Sequence, residues 1–179
     1  MGLQEKFGTA RVFDTNMSEE GIIGRAVGMA AAGLMPVPEI QFRKYADPAA
    51  EQLNDCGSMR WRTANRFAAP MVVRIPGGFF KCGDPWHSQS NEVQWLHGLG
   101  WRLAMPSNAQ DAVGLLRSAL REAAQGDRTA ARHDGIAEHR DDEGSTSQGS
   151  LAAKAREQLV CDSGGVGVHF SVIVIWRAI

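Results

Sequence analysis

Apolar positions first take up helical spacing after Ser18, where Ile23, Val27, Ala30 and Leu34 recur every three or four residues. Ser18 suits the N-cap of that helix. Glu19 and Glu20 fall in its first turn, and Gly33 with Pro36 closes it. Gly24, Gly28 and the Ala30–Ala32 run leave one flank almost without side-chain bulk, which permits close approach of another backbone or helix. "PVPEIQF" (36–42) predicts a short strand with proline at its start. Pro48 to Phe67 predicts a second helix, and the β-branched run "PMVVRI" (70–75) a buried strand. "PGGFFKCGDPWHSQ" (76–89) is too rich in Gly and Pro for regular structure and reads as a long ordered loop. A short helix over "NEVQWLHG" (91–98) and a strand over "WRLAM" (101–105) follow. "SNAQDAVGLLRSALREAA" (107–124) predicts an amphipathic helix. Ser107 or Asn108 is its cap, and Ala112, Leu115, Leu116, Ala119 and Leu120 form its apolar face.

Strands alternating with helices predict an α/β fold with a mainly parallel sheet, and in such sheets ligands bind beyond the carboxyl ends of the strands. The stretch before the Ser18 helix, the end of "EIQF" and the loop after "VVRI" occupy such places. After about residue 122 the pattern changes. Residues 125–150 are charged and without a period, a polar linker or disordered segment. "LAAKAREQLV" (151–160) allows a short helix, and "VGVHFSVIVIW" (166–176) is strand-like and aggregation-prone if unpaired. The expected organisation is a domain over 1–124, a linker over 125–150 and a divergent tail over 151–179.

A chain of 179 residues with 44% hydrophobic content can bury one real core. Its formal charge of −1 argues against broad attraction to nucleic acid or an anionic membrane surface. No apolar run approaches the roughly 20 residues that span a bilayer, and "MGLQEKFG" lacks the apolar core of a signal peptide. The three cysteines, Cys56, Cys82 and Cys161, look like reduced thiols rather than a disulfide framework. A cytoplasmic protein is expected.

Several local chemistries fit badly. Cys56, Cys82, His87 and His97 have none of the compact zinc spacings. "IPGGFFKCG" is neither a Walker loop nor a G-x-G-x-x-G fingerprint. Cys82 has no recognisable oxyanion hole beside it. No metal is assigned. From the residues alone, Glu19 and Glu20 are first-turn acids that complement a helix dipole.

"DTNMSEEGIIGRAVGMAAAGLMPVPEIQFRKYADPAAEQLND", "APMVVRIPGG" and "HSQSNEVQWLHGLGWRLAMPSNAQDAVGLLRSAL" occur in that order. Together, over roughly residues 2 to 122, they closely resemble the pyrimidine-binding domain of the beta subunit of 2-oxo acid dehydrogenases. These are the thiamine-diphosphate-dependent components that act on pyruvate or branched-chain 2-oxo acids. The resemblance implies a three-layer α/β/α fold of the transketolase-like pyrimidine-binding type, truncated at both ends. It implies oxidative decarboxylation of a 2-oxo acid and transfer of the acyl group to lipoyl-lysine. The Glu of the family's "S-E-x-G" motif maps onto Glu19. There a carboxyl group donates a hydrogen bond to the cofactor's pyrimidine ring and promotes its reactive imino tautomer. Glu20 holds the variable position. Asn16 stands where the family has proline, which alters a turn. Met17, Gln41 and Tyr45 match positions lining the pyrimidine pocket, and a packed aromatic with a satisfied hydroxyl remains an equal reading for Tyr45. His87 in "HSQ" matches a histidine at the site mouth that handles the acyl intermediate or its transfer.

Thiamine enzymes hold the diphosphate and Mg²⁺ with a "GDG…N" motif, and neither Gly83-Asp84-Pro85 nor Gly126-Asp127-Arg128 supplies one. The resemblance therefore implies an alpha subunit that brings diphosphate and Mg²⁺, a second beta subunit, and a lipoyl acyltransferase core. Carbonyls near Ala69 to Val72 match part of a structural potassium site. The family pattern also has an upstream helix and strand and a second domain. Where it continues into a core strand, this chain reads "GDRTAARHDGIAEHR". A reading-frame shift near residues 122–127 is the expected explanation, and the encoding DNA tests it. The rival reading is a truncated, inactive module that keeps only the alpha-subunit-binding surface.

Overall fold

The computed structural model describes residues 2–77, 86–87, 89, 92–98, 100–106, 108–131 and 171–177. Helices α1 (Leu3–Phe7), α2 (Glu19–Ala31) and α3 (Ala50–Arg62) come first, with a 3₁₀ helix, Arg43–Ala46, before α3. Strand β1 (Val72–Gly77), helix α4 (Val93–Leu96), strand β2 (Trp101–Ala104), helix α5 (Ala109–Ala131) and strand β3 (Ser171–Arg177) follow.

Helix α2 obeys its sequence signals at both ends. Ser18 occupies the N-cap in extended conformation, although its side chain makes no capping hydrogen bond. At the other end the Gly33 N–H donates to Ala30 O, and the Leu34 N–H to Met29 O, both at 3.0 Å. This is a Schellman closure, and Gly33 takes the left-handed φ of 84° it requires. Helix α5 is capped by Asn108, whose Oδ1 accepts from the Asp111 N–H at 2.9 Å. That settles the choice of cap on Asn108, and the helix runs past Ala124 to Ala131.

The sheet differs from the expected arrangement. Its order is β1-β3-β2, and β3 is antiparallel to both neighbours. Because both β1 and β2 oppose β3, they run in the same direction, as a parallel sheet requires. A strand from the tail lies between them and replaces the direct parallel pairing. "PVPEIQF" is also no strand. It runs parallel to β1 and makes only an isolated bridge, Glu39 with Arg74. The bonds from Val72 N to Pro36 O (3.3 Å), Arg74 N to Pro38 O (3.0 Å) and Ile40 N to Arg74 O (3.0 Å) are present. The bond between the first two would run from residue 38 to the Val72 carbonyl. Pro38 has no N–H to give, so the ladder breaks there.

Apolar side chains pack on both faces of β1 and β2. Val73, Ile75 and Leu103 join Ile23, Ile40, Leu53, Cys56 and Trp95 in one cluster. Val72 and Ala104 join Ala119 and Ala123 of α5 in the other. Neighbouring residues of one strand thus serve opposite faces. Gly100 has a φ of 75°, and a Cβ there would lie 2.4 Å from the Gly57 carbonyl oxygen. Only glycine lets the start of β2 approach α3 so closely, and the Trp101 indole N–H then donates to Leu53 O at 2.8 Å. Most of the loop over 76–89, the linker beyond Ala131 and the expected helix over 151–160 lie outside the described residues.

Candidate functional site

Two chain segments meet beyond the carboxyl ends of the aligned strands. The extended stretch ending at Ile40 leads into Gln41, Phe42 and the 3₁₀ helix, which carries Tyr45. His87 follows β1 by ten residues in sequence, and of the residues around it only 86–87 and 89 are among the described ones. The Tyr45 hydroxyl and His87 Nε2 lie 2.7 Å apart across 42 residues of sequence. Their rings are in edge contact, with centroids 5.4 Å apart, and Phe42 packs edge-on against both at 5.9 and 5.1 Å. The hydrogen bond decides which imidazole nitrogen carries the proton. With the hydroxyl donating to Nε2, the proton sits on Nδ1; with the imidazole donating, it sits on Nε2.

Met17 and Gln41 form a second contact, with Gln41 Nε2 3.8 Å from the Met17 sulfur. The Ser18 N–H donates to Asn16 O at 2.9 Å, a tight turn about Met17 that leaves this side chain 83% exposed. Glu19 is the first residue of α2 and half-buried. Its carboxylate has no hydrogen-bond or ion-pair partner among the described residues. Gly21 leaves room for Ser18: a Cβ at residue 21 would lie 2.9 Å from the Ser18 Oγ. A side chain at residue 21 would therefore have to turn the Ser18 hydroxyl aside. Glu20 is exposed.

The structure therefore joins Tyr45 to His87 and Met17 to Gln41, and the run 41–45 links the two pairs. Glu19 belongs to neither contact. The sequence reading misses Phe42, which bridges both rings, and the basic pair beside it. Lys44 lies over the Trp86 ring at 4.4 Å and donates to Asp47 at 2.8 Å. Arg43 reaches the same carboxylate at 3.1 Å. The spacings to Asp47, i+4 from Arg43 and i+3 from Lys44, were the available signal for a helical turn here. Burial raises the Asp47 pKa, but hydrogen bonds from Lys44, Arg43 and Gln94 outweigh it and hold the group below the usual carboxylate value. Among the described residues no cluster of three His, Cys, Asp or Glu side chains is arranged to hold a metal ion, and no helix is long and apolar enough to cross a membrane.

Residues 1–130 match the family described as the pyrimidine-binding domain of transketolase. The chain belongs to the transketolase pyrimidine-binding family. Family membership makes the fold α/β. The chain is 53% identical over 116 residues to the 2-oxoisovalerate dehydrogenase subunit beta of Pseudomonas aeruginosa, covering 64% of this chain and 33% of that protein. It is 39% identical over 122 residues to the subunit of the same name from Bacillus subtilis, covering 68% and 37%. It is 41% identical over 122 residues to the pyruvate dehydrogenase E1 component subunit beta of Acholeplasma laidlawii, covering 68% and 37%. The chain thus spans about a third of the length of these curated relatives. Among the described residues the half-buried Glu19 carboxyl at the head of α2 has no partner, and an exposed thioether, an amide and a ring edge are offered nearby in sequence and contact by Met17, Gln41 and Phe42.

Proposed function

We propose that this chain is the pyrimidine-binding part of the beta subunit of a 2-oxo acid dehydrogenase. Together with an alpha subunit it oxidatively decarboxylates a 2-oxo acid with thiamine diphosphate and passes the acyl group to lipoyl-lysine. The observation that carries the reading is Glu19, a half-buried carboxyl without a partner among the described residues, placed as the first residue of α2. The relatives' names support the reaction class, put 2-oxoisovalerate first among substrates to test and pyruvate second.

Thiamine diphosphate, when bound, supplies the electron sink for decarboxylation. Glu19 offers a proton to the pyrimidine ring nitrogen, which a helix-start acid can do only if nothing else in the protein claims it. Met17 and Gln41, in contact with each other, would line the place of that ring. His87, oriented by Tyr45, takes and returns protons at the mouth where the acyl group leaves. The diphosphate and Mg²⁺ are held by the alpha subunit, and a second beta subunit and the acyltransferase core complete the cytoplasmic assembly. A second reading is an inactive alpha-subunit-binding module. The observation in its favour is β3, which lies where β1 and β2 would otherwise pair.

Co-expression with an alpha subunit and an assay with an artificial electron acceptor separate the two. Glu19→Gln removes the proton donor and leaves its shape, so turnover falls by about 10²–10⁴-fold while the complex still forms. Glu20→Gln changes turnover little. Equal losses in both variants would overturn the role of Glu19. A complex without turnover in the unsubstituted chain would establish the inactive module.

A further inference from the structure

Among the described residues only two charged side chains are buried, and they are of opposite sign: Arg43 at 0% exposure and Glu92 at 7%. Arg43 belongs to the 3₁₀ helix, and Glu92 is the N-cap residue of α4. Both are incompletely satisfied. One guanidinium nitrogen reaches Asp47 at 3.1 Å, whereas Arg43 Nε and Nη2 and Glu92 Oε2 are buried without a partner among the described residues. The two elements already touch. The Arg43 guanidinium lies 5.3 Å from the centroid of the Trp95 ring. Glu92 stands three residues before Trp95, in helical conformation and on the same face of α4. Gln94 Nε2 lies 3.5 Å from Asp47 Oδ1. A lone buried charge is strongly destabilising, and two of opposite sign on adjoining elements stabilise each other.

We propose that Arg43 and Glu92 are partners in a buried latch between the 3₁₀ helix and α4, and that the latch positions His87. Arg43 closes it by turning its free guanidinium edge towards the Glu92 carboxylate while staying on Trp95. The consequence follows from chain order. Tyr45 is two residues after Arg43, and His87 is five residues before Glu92. The latch ties together the two segments whose ends meet in the 2.7 Å contact. Arg43 and Glu92 touch no reacting group; they act through the Tyr45–His87 bond. That His87 matters for turnover rests on the function proposed above. The latch itself does not, since its test reads the imidazole and the stability of the chain without any cofactor.

The full chain labelled with ¹⁵N-histidine reports the His87 tautomer through long-range ring couplings, with Tyr45→Phe as the reference for an imidazole that lacks the tyrosine bond. Arg43→Met and Glu92→Gln should each move the His87 ring signals towards that reference. In urea the double variant should be more stable than the two single losses predict, by roughly tenfold or more in the unfolding constant. Arg43→Lys keeps the charge without the fork. It serves if Arg43→Met does not fold, and it too should shift the His87 signals. Strictly additive stability losses would overturn the pairing. His87 signals that stay put in every folded variant would overturn the positioning role.

Discussion

Helix α2 and the sheet it packs against obey different kinds of rule. Each end of α2 is settled within a few residues, by the Ile22 N–H bond to Ser18 O at the head and by the Gly33 and Leu34 N–H groups at the tail. The sheet is settled by segments far apart in the chain. β1 and β2 point the same way, yet the strand between them comes from the tail and opposes both. Local backbone closure leaves a chain few options. An open edge between two strands accepts any apolar, β-branched segment that reaches it. The candidate site inherits both kinds of order. Glu19 is fixed locally, whereas the Tyr45–His87 contact depends on segments joined across the sheet.

The hardest blow to the non-local half is a proline in β3. Ile175 pairs with Val73 on one side and Leu103 on the other. Ile175→Pro removes a ladder donor in a central strand and forces the backbone away from one neighbour. The expected loss is roughly 3 kcal/mol or more, comparable to a proline in a helix interior. Urea unfolding measures it, and amide exchange should show protection lost in β1 and β2 together while the α2 amides keep theirs. A variant as stable as the parent would mean that β1 and β2 do not depend on β3.

That division is also the division between what the sequence discloses and what it hides. The apolar spacing of Ile23, Val27 and Ala30 and the cap residues predict α2 to within a residue at its start, and the choice of Ser107 or Asn108 predicts the start of α5 equally closely. The strand-like character of the tail is legible, because β-branched runs need no partner to be recognised. Its neighbours are not, because pairing is a competition among distant segments. "PVPEIQF" misleads for a smaller reason. Its second proline falls on a position whose N–H would face β1, and only the pairing register reveals that. At the site, the family resemblance alone names Tyr45 for the pyrimidine pocket and His87 for the site mouth, and no spacing in the sequence foretells their 2.7 Å contact. The burial of Arg43 is hidden too, since an arginine in "QFRKY" reads as a solvated face.

Between the two halves stands Asp47, bound by Lys44 and Arg43 of its own turn and by Gln94 from α4. Its pKa is lower folded than unfolded, so its ionised form stabilises the fold. That contribution is fully present above the ordinary carboxylate value of 3.8 and is lost as pH falls from there through the folded value. Asp47→Asn should remove this part of the acid-side slope in a urea titration from pH 6 downward. The carboxylate is 38% exposed, and water screens it, so the difference stays below about 1 kcal/mol. An unchanged slope would mean that the local turn holds without its charges.

A last contrast separates two glycines, one inside α2 and one just past its end, whose neighbourhoods differ. Gly33 holds a positive φ at the helix end, so Gly33→Ala must place a side chain in the left-handed region, at a loss of about 1–2 kcal/mol. Gly28 lies inside the helix, is exposed, and an added Cβ would meet no atom within 4 Å. Gly28→Ala should therefore stabilise the isolated chain by roughly 0.5–1 kcal/mol, through lower backbone entropy in the unfolded state. Opposite signs in urea would show that α2 is governed residue by residue from within. The same Gly28 variant then tests its exposed flank. If the alpha subunit uses the space the glycine leaves, the more stable chain should assemble less well, a combination that local helix physics alone cannot produce.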